Sequence, residues 1–121
     1  MRYNQHILFE KIGQQGQEKI VKANIMILGL GATGTNSAEL LTRAGIGSLT
    51  LIDRDIVELS NLQRQTLFIE EDLNKSKSLI ALKHLKKINS QREKTENKFN
   101  KFWEIYPNKK SEFGISGMPI D

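Results

Sequence analysis

The stretch "NIMILGLGATGTNSAELLTRAGIGSLTLID", residues 24–53, decides how this chain folds. Its opening, "NIMILGL", is a continuous apolar run of strand length, the pattern of a parallel strand buried on both faces. The run passes directly into glycines. From Gly34 onward Ala38, Leu41 and Ala44 recur at three-residue spacing with Leu40 alongside, and "AGIG" supplies a glycine stop, so a helix with one apolar face is expected. "SLTLID" is a second short apolar run that ends in acid. Strand, glycine turn, helix and strand in about thirty residues suffice for one right-handed crossover unit of an α/β fold.

The turn "GLGATG" fits G-x-G-x-x-G after a strand and before a helix. In that pattern Gly29, Gly31 and Gly34 divide three tasks: a tight turn, close approach of backbone to phosphate, and close helix-to-strand packing. An anionic phosphate can then sit on the free amides of the helix N-terminus. Asp53 lies 19 residues beyond Gly34, at the end of the second strand, where a carboxylate can accept hydrogen bonds from ribose hydroxyls. The predicted fold is a Rossmann-like parallel sheet with flanking helices, truncated after the first strands. Proteins that bind NAD, FAD, S-adenosylmethionine or ATP share this turn, and a turn serving packing alone can share it too, so the glycines leave the nucleotide open.

Outward from this unit, "QQGQEKIVKA" reads as an outer helix, with Lys19 and Lys22 suited to its C-terminal end. Downstream, Leu79, Leu82, Leu85 and Ile88 recur at three-residue spacing with lysines on the other side, which predicts a second packed helix over Lys75 to Ile88. No third buried strand is expected. From Ser90 the chain turns polar and charged yet holds five of its eight aromatic residues. Phe99, Phe102, Trp103 and Tyr106 recur at helical spacing until Pro107, which predicts one amphipathic helix and a loose end. The change of character divides the chain into residues 1–89, the nucleotide-binding portion, and 90–121, a divergent polar and aromatic tail.

Composition narrows the chemistry. A chain of 121 residues with 38% hydrophobic content has room for one core. It has no cysteine, which excludes disulfides, thiolate zinc sites and any thioester or persulfide on its own sulfur. No run approaches the ~18 apolar residues that cross a bilayer, and the N-terminus lacks the apolar core of a secretion signal, so a soluble, cytoplasmic protein is expected. The net charge of +4 suits anionic ligands, although ordinary solvated surfaces share that balance. His6 and His84 have no second histidine or cysteine at ligand spacing, and no metal site is predicted.

"SNLQRQTLF", Ser60 to Phe68, is crowded with amide and guanidinium groups shortly after Asp53. A redox enzyme holds a pyrophosphate that does not react and has little use for cations aimed at it. An enzyme that adenylates does, because charge growing on phosphate oxygens is stabilised by preorganised cations and amide donors. Arg64 can fork onto two phosphate oxygens, Asn61 and Gln65 can add neutral donors, and Lys77 near the start of the next helix can add a further charge. Each residue alone is compatible with a solvated surface; together after Asp53 they favour chemistry on ATP.

At these residues the sequence resembles the ThiF, MoeB and HesA adenylyltransferases, relatives of ubiquitin-activating enzymes. The likeness runs from about residue 2 to 89 and rests on "RYNQHIL", "GLGATG", "AGIGSLTLIDRDIVELSNLQRQTLF" and the Lys77 helix. It implies a parallel sheet covered by helices on both faces, usually in a homodimer. It further implies that ATP and magnesium activate the C-terminal glycine of a small ubiquitin-like sulfur-carrier protein as an acyl adenylate. On that likeness Gly29, Gly31 and Gly34 form the phosphate turn, Asp53 takes the ribose and Asp55 lies beside the adenosine. Asn61, Arg64, Gln65 and Lys77 surround the triphosphate, with Asn61, Arg64 and Lys77 as the catalytic set.

The sequence departs from that family where Gln5 replaces the second arginine of an R-Y-x-R motif, an arginine that reaches the partner's ATP. The family's later magnesium-binding aspartate, zinc cysteines and reactive cysteine have no counterpart here. The leading expectation is therefore the front part of an adenylyltransferase that does not act alone. A noncatalytic nucleotide-binding or dimerisation module is the second reading, and an NAD-binding oxidoreductase fragment the third. For the tail, cover for the open sheet face, foreign sequence and contact with nucleic acid stand as alternatives, nucleic acid being the least favoured.

Overall fold

A computed structural model describes residues 1–91 and the strand backbone at 94–97. Chain order is α1 (Asn4–Leu8), α2 (Gly13–Lys22), β1 (Asn24–Leu28), α3 (Ala32–Ala44), β2 (Ser48–Ile52), α4 (Lys77–Ile88) and β3 (Lys94–Asn97). Two 3-10 turns, Leu59–Asn61 and Glu70–Asp72, punctuate the connection between β2 and α4. The strands form one parallel sheet in the order β1-β2-β3, with Ile25 opposite Leu49 and Leu49 opposite Thr95. The α/β class and the crossover from β1 through α3 to β2 are as expected.

Strand β3 is a correction. No third buried strand is expected from the sequence, and "KTEN" carries no apolar run; its ladder with β2 defines the strand instead. The division expected after residue 89 falls between α4 and this strand of the same sheet. The aromatic helix expected over Phe99 to Tyr106 lies outside the described residues.

The middle strand carries the core. Leu49 and Leu51 are fully buried and pack with Leu30, Ala38, Val57, Phe68, Ile80, Ala81 and Leu85. Strand β1 differs from its expected burial on both faces: Ile25 and Ile27 are half-buried, but Met26 is 53% exposed and Leu28 39%. Among the described residues β1 is the edge of the sheet, pairing with β2 alone, and its second face is turned outward.

Helix α4 also departs from its expected face. Leu79 is 56% exposed, while Lys77, Ser78, Ile80, Ala81 and Leu85 are buried. Leu82 and Ile88 are half-buried, so the inward stripe follows the i, i+4 row through Lys77, Ala81 and Leu85, not a strict three-residue row.

The N-terminal arm is tied to the far end of α3. Gly45 closes that helix in the left-handed region at φ 89°, and a Cβ there would overlap the Tyr3 ring. Gln17 bridges the two parts: its Oε1 accepts from His6 Nδ1 at 2.8 Å, and its Nε2 donates to the Ala44 carbonyl at 3.0 Å. Arg2 donates to the Ile88 carbonyl at 3.4 Å and to Gln91 Oε1 at 3.0 Å, placing its charge at the C-terminal end of α4. Among the described residues no helix is long and apolar enough to cross a membrane.

Candidate nucleotide site

The site is built where β1 and β2 end. Gly29 takes φ 99°, a conformation that favours glycine, and its N–H continues the ladder by donating to the Ile52 carbonyl at 2.8 Å. Gly34 lies so close to the Gly29 carbonyl that a Cβ would overlap it, which is the close helix-to-strand approach expected of the third glycine. Helix α3 begins at Ala32 behind Gly31, and no side chain caps it. The amides of its first turn are therefore open to an anion. A groove of about 490 Å³ opens in front of them, lined in part by Leu28, Gly29, Gly31, Thr33, Gly34 and Ser37.

Asp53 stands at this turn with both oxygens engaged. Oδ2 accepts the Leu30 N–H at 2.6 Å and Oδ1 accepts the Asp55 N–H at 2.7 Å. The Asp55 carbonyl in turn accepts the Lys77 N–H at 3.0 Å. Three hydrogen bonds thus join the glycine turn, the end of β2 and the start of α4. The Asp55 side chain is exposed and lies 3.6 Å from Arg54.

The amide-rich segment is held by its own backbone. Asn61 is buried, its Oδ1 accepts the Glu58 N–H at 2.9 Å, and its carbonyl accepts the N–H groups of Arg64 and Gln65. Its side-chain oxygen is thus structural, leaving the amide nitrogen to donate. Arg64 is exposed and folds back onto the Ser60 carbonyl at 2.9 Å. Gln65 is 2% exposed, and its Oε1 has no hydrogen-bond partner among the described residues. Lys77 is 6% exposed and has no ion pair among the described residues. Its stem is packed inside while its ammonium, without a hydrogen-bond partner among the described residues, is absent from the buried polar atoms, a placement suited to meeting a phosphate.

The sequence analysis places the turn glycines and Asp53 together, and the structure joins them. It links Asp55 and Lys77 through backbone. It does not bring the Arg64 guanidinium onto the turn, since that group rests on Ser60. One charged contact was missed: His84 Nε2 meets Asp72 Oδ2 at 2.8 Å, and the same oxygen accepts the Ile69 N–H at 2.9 Å. The two residues lie 12 apart across a turn, a separation with no periodic signature. Burial raises the Asp72 carboxyl pKa, but the Ile69 N–H and the His84 ring outweigh it and hold the carboxyl below its usual value.

A parallel α/β sheet, a glycine turn over an uncapped helix and an acid at the next strand's end define a nucleotide-binding type of α/β protein. The chain belongs to the ThiF family, whose pattern matches residues 3–111. It is 50% identical over 91 residues to the sulfur carrier protein ThiS adenylyltransferase of Bacillus subtilis (strain 168), covering 74% of this chain and 27% of that protein. The corresponding adenylyltransferase of Escherichia coli (strain K12) is 45% identical over 89 residues, covering 74% of this chain and 36% of the relative. The crystal structure of E. coli MccB with ATP superposes with a TM-score of 0.74 at 35% identity, over 80% of this chain and 30% of that one. The chain therefore spans about a third or less of the length of the relatives named here.

Proposed function

We propose that this chain forms the front part of an ATP site used to adenylate the C-terminal carboxylate of a small ubiquitin-like sulfur-carrier protein. The observation that carries this reading is the hydrogen-bonded path Leu30–Asp53–Asp55–Lys77, which ties the glycine turn to a carboxylate and to the backbone of a lysine around the strand ends. Relatives named as ThiS adenylyltransferases, and the MccB structure determined with ATP, support the choice of nucleotide and reaction.

ATP fits the groups present. The open first turn of α3 would receive phosphate oxygens, the Gly34 approach keeps the turn low, and the buried Gln65 Oε1 and the Lys77 ammonium have no hydrogen-bond partner among the described residues. On binding, Lys77 and Arg64 screen phosphate charge so that a carboxylate can approach the α-phosphorus in line, and the Asn61 amide nitrogen supplies a neutral donor. Magnesium does not fit these residues as a protein-held ion. No group of three His, Cys, Asp or Glu residues among the described ones can hold a metal, so magnesium would arrive on the nucleotide's phosphates.

In this reading residues 1–89 supply the nucleotide-binding portion, the sulfur-carrier protein is the partner, and the working form is a cytoplasmic homodimer. Gln5 lies on the exposed face of α1 and carries no charge to a neighbouring site. Thermal unfolding with ATP, with NAD and without ligand tests the proposal, since a ligand of the folded state raises its stability by mass action. A shift with ATP alone, lost in Arg64→Ala, is the expected result. A shift with NAD alone would overturn it. An ATP shift without pyrophosphate exchange, even with carrier protein added, would instead assign a noncatalytic binding module.

A further inference from the structure

Asp53 does more at this site than wait for a ribose. Its two carboxylate oxygens receive two different backbone N–H groups, from Leu30 inside the glycine turn and from Asp55 beyond β2, at 2.6 and 2.7 Å. Bonds from N–H to an ionised carboxylate are short and roughly twice as strong as neutral ones. Leu30 is fully buried, its side chain anchored in the core, while its N–H is drawn across to the neighbouring strand's end. The turn therefore has two ties to β2: the Gly29 N–H on the Ile52 carbonyl and the Leu30 N–H on Asp53.

We propose that Asp53 is the positioning residue of the phosphate turn: its carboxylate sets the orientation of the Leu30–Gly31 peptide and, through Asp55, the place where α4 delivers Lys77. This deepens the ATP reading and rests on it for the identity of the ligand. The Leu30 N–H is spent on Asp53, so phosphate is left to the amides that follow it at the start of α3. The ribose, in turn, is received by lone pairs of the same oxygens that hold the turn, since each carboxylate oxygen can accept more than one hydrogen bond. Arg54, the adjacent cation, lies against Asp55, so the bonds to Leu30 and Asp55 are the described constraints on the Asp53 carboxylate.

The consequence is a dependence that ribose contact alone does not give. Asp53→Asn keeps the size of the side chain but replaces one acceptor oxygen with a donor, so one of the two N–H groups loses its partner. Binding of ATP and of inorganic tripolyphosphate, which has no ribose, is measured on the full chain and on this variant. Both ligands are expected to weaken by roughly tenfold or more, the scale of a lost charge-assisted hydrogen bond. Weaker ATP binding with unchanged tripolyphosphate binding would overturn the positioning role. Amide NMR decides the matter separately: the Leu30 and Asp55 N–H signals, which report the two bonds to Asp53, are expected to move in Asp53→Asn beyond any shift of their neighbours. If the wild-type chain binds neither ligand, the ATP reading fails, and Leu30 and Asp55 signals left unmoved by Asp53→Asn would overturn the positioning role as well.

Discussion

The side-chain amide of Asn89 donates to the Tyr3 hydroxyl and to the Thr42 carbonyl, both at 2.9 Å, and so joins residues 86 positions apart in the chain. Asn89 is 2% exposed, so neither acceptor can be replaced by solvent without opening the structure. Asn89→Ala is expected to destabilise the fold by about 2 kcal/mol, and Tyr3→Phe by about 1 kcal/mol because Thr42 remains as acceptor. Urea unfolding of the two variants checks the order; a larger loss for Tyr3→Phe would contradict it.

Gly34→Ala tests the turn as geometry. The added methyl meets the Gly29 carbonyl, a rigid backbone group, so α3 must move away from β1. A loss of roughly 1 to 3 kcal/mol is expected from the overpacking, together with loss of any ATP-induced rise in melting temperature. Gly31→Ala is the control, since a Cβ at Gly31 has open space around it. It should keep most of its stability.

Lys77 separates stability from binding. Lys77→Met retains length and the packed apolar stem while removing an ammonium that lacks an ion pair among the described residues. The unliganded chain is expected to keep its stability to within about 1 kcal/mol while ATP binding weakens. Calorimetric titration beside thermal unfolding reads both quantities, and a variant that lost stability but bound ATP normally would refute the assignment.

The Asp72–His84 contact makes stability depend on acid in a definite direction. The folded carboxyl is held below its usual 3.8, so the unfolded state takes up the proton more readily. Its contribution is complete above the ordinary carboxylate range and is lost as pH falls through the folded value. His84→Gln is expected to cost about 1 to 2 kcal/mol at pH 7, and its difference from wild type should narrow on acidification into the carboxylate range. Urea midpoints measured from neutral pH downward follow the trend.

What the sequence made legible was whatever repeats or punctuates. Gly29, Gly31, Gly34 and Asp53 could be read because each sits at a fixed offset within a strand-turn-helix-strand unit. Leu79 was misplaced because three-residue spacing drifts away from a 3.6-residue helix, and the row through Lys77, Ala81 and Leu85 faces inward instead. "KTEN" showed nothing of strand β3, since a ladder bond belongs to the backbone and leaves no mark on side-chain pattern. Arg64, Asn61 and Gln65 were read as a group from their closeness in sequence, but the turn conformation that gives Asn61 a structural oxygen, lays Arg64 on Ser60 and leaves Gln65 Oε1 unpartnered among the described residues depends on contacts no spacing encodes.

The outward face of β1 makes concentration a structural variable for this chain. Among the described residues Met26 and Leu28 lie exposed on a strand that pairs on one side, and the unpaired backbone groups of such an edge are the template on which a second chain's strand can add. Self-association should therefore climb with protein concentration even where each molecule is fully folded. A gatekeeper charge at that position, Met26→Lys, is expected to slow aggregation while leaving the melting temperature nearly unchanged.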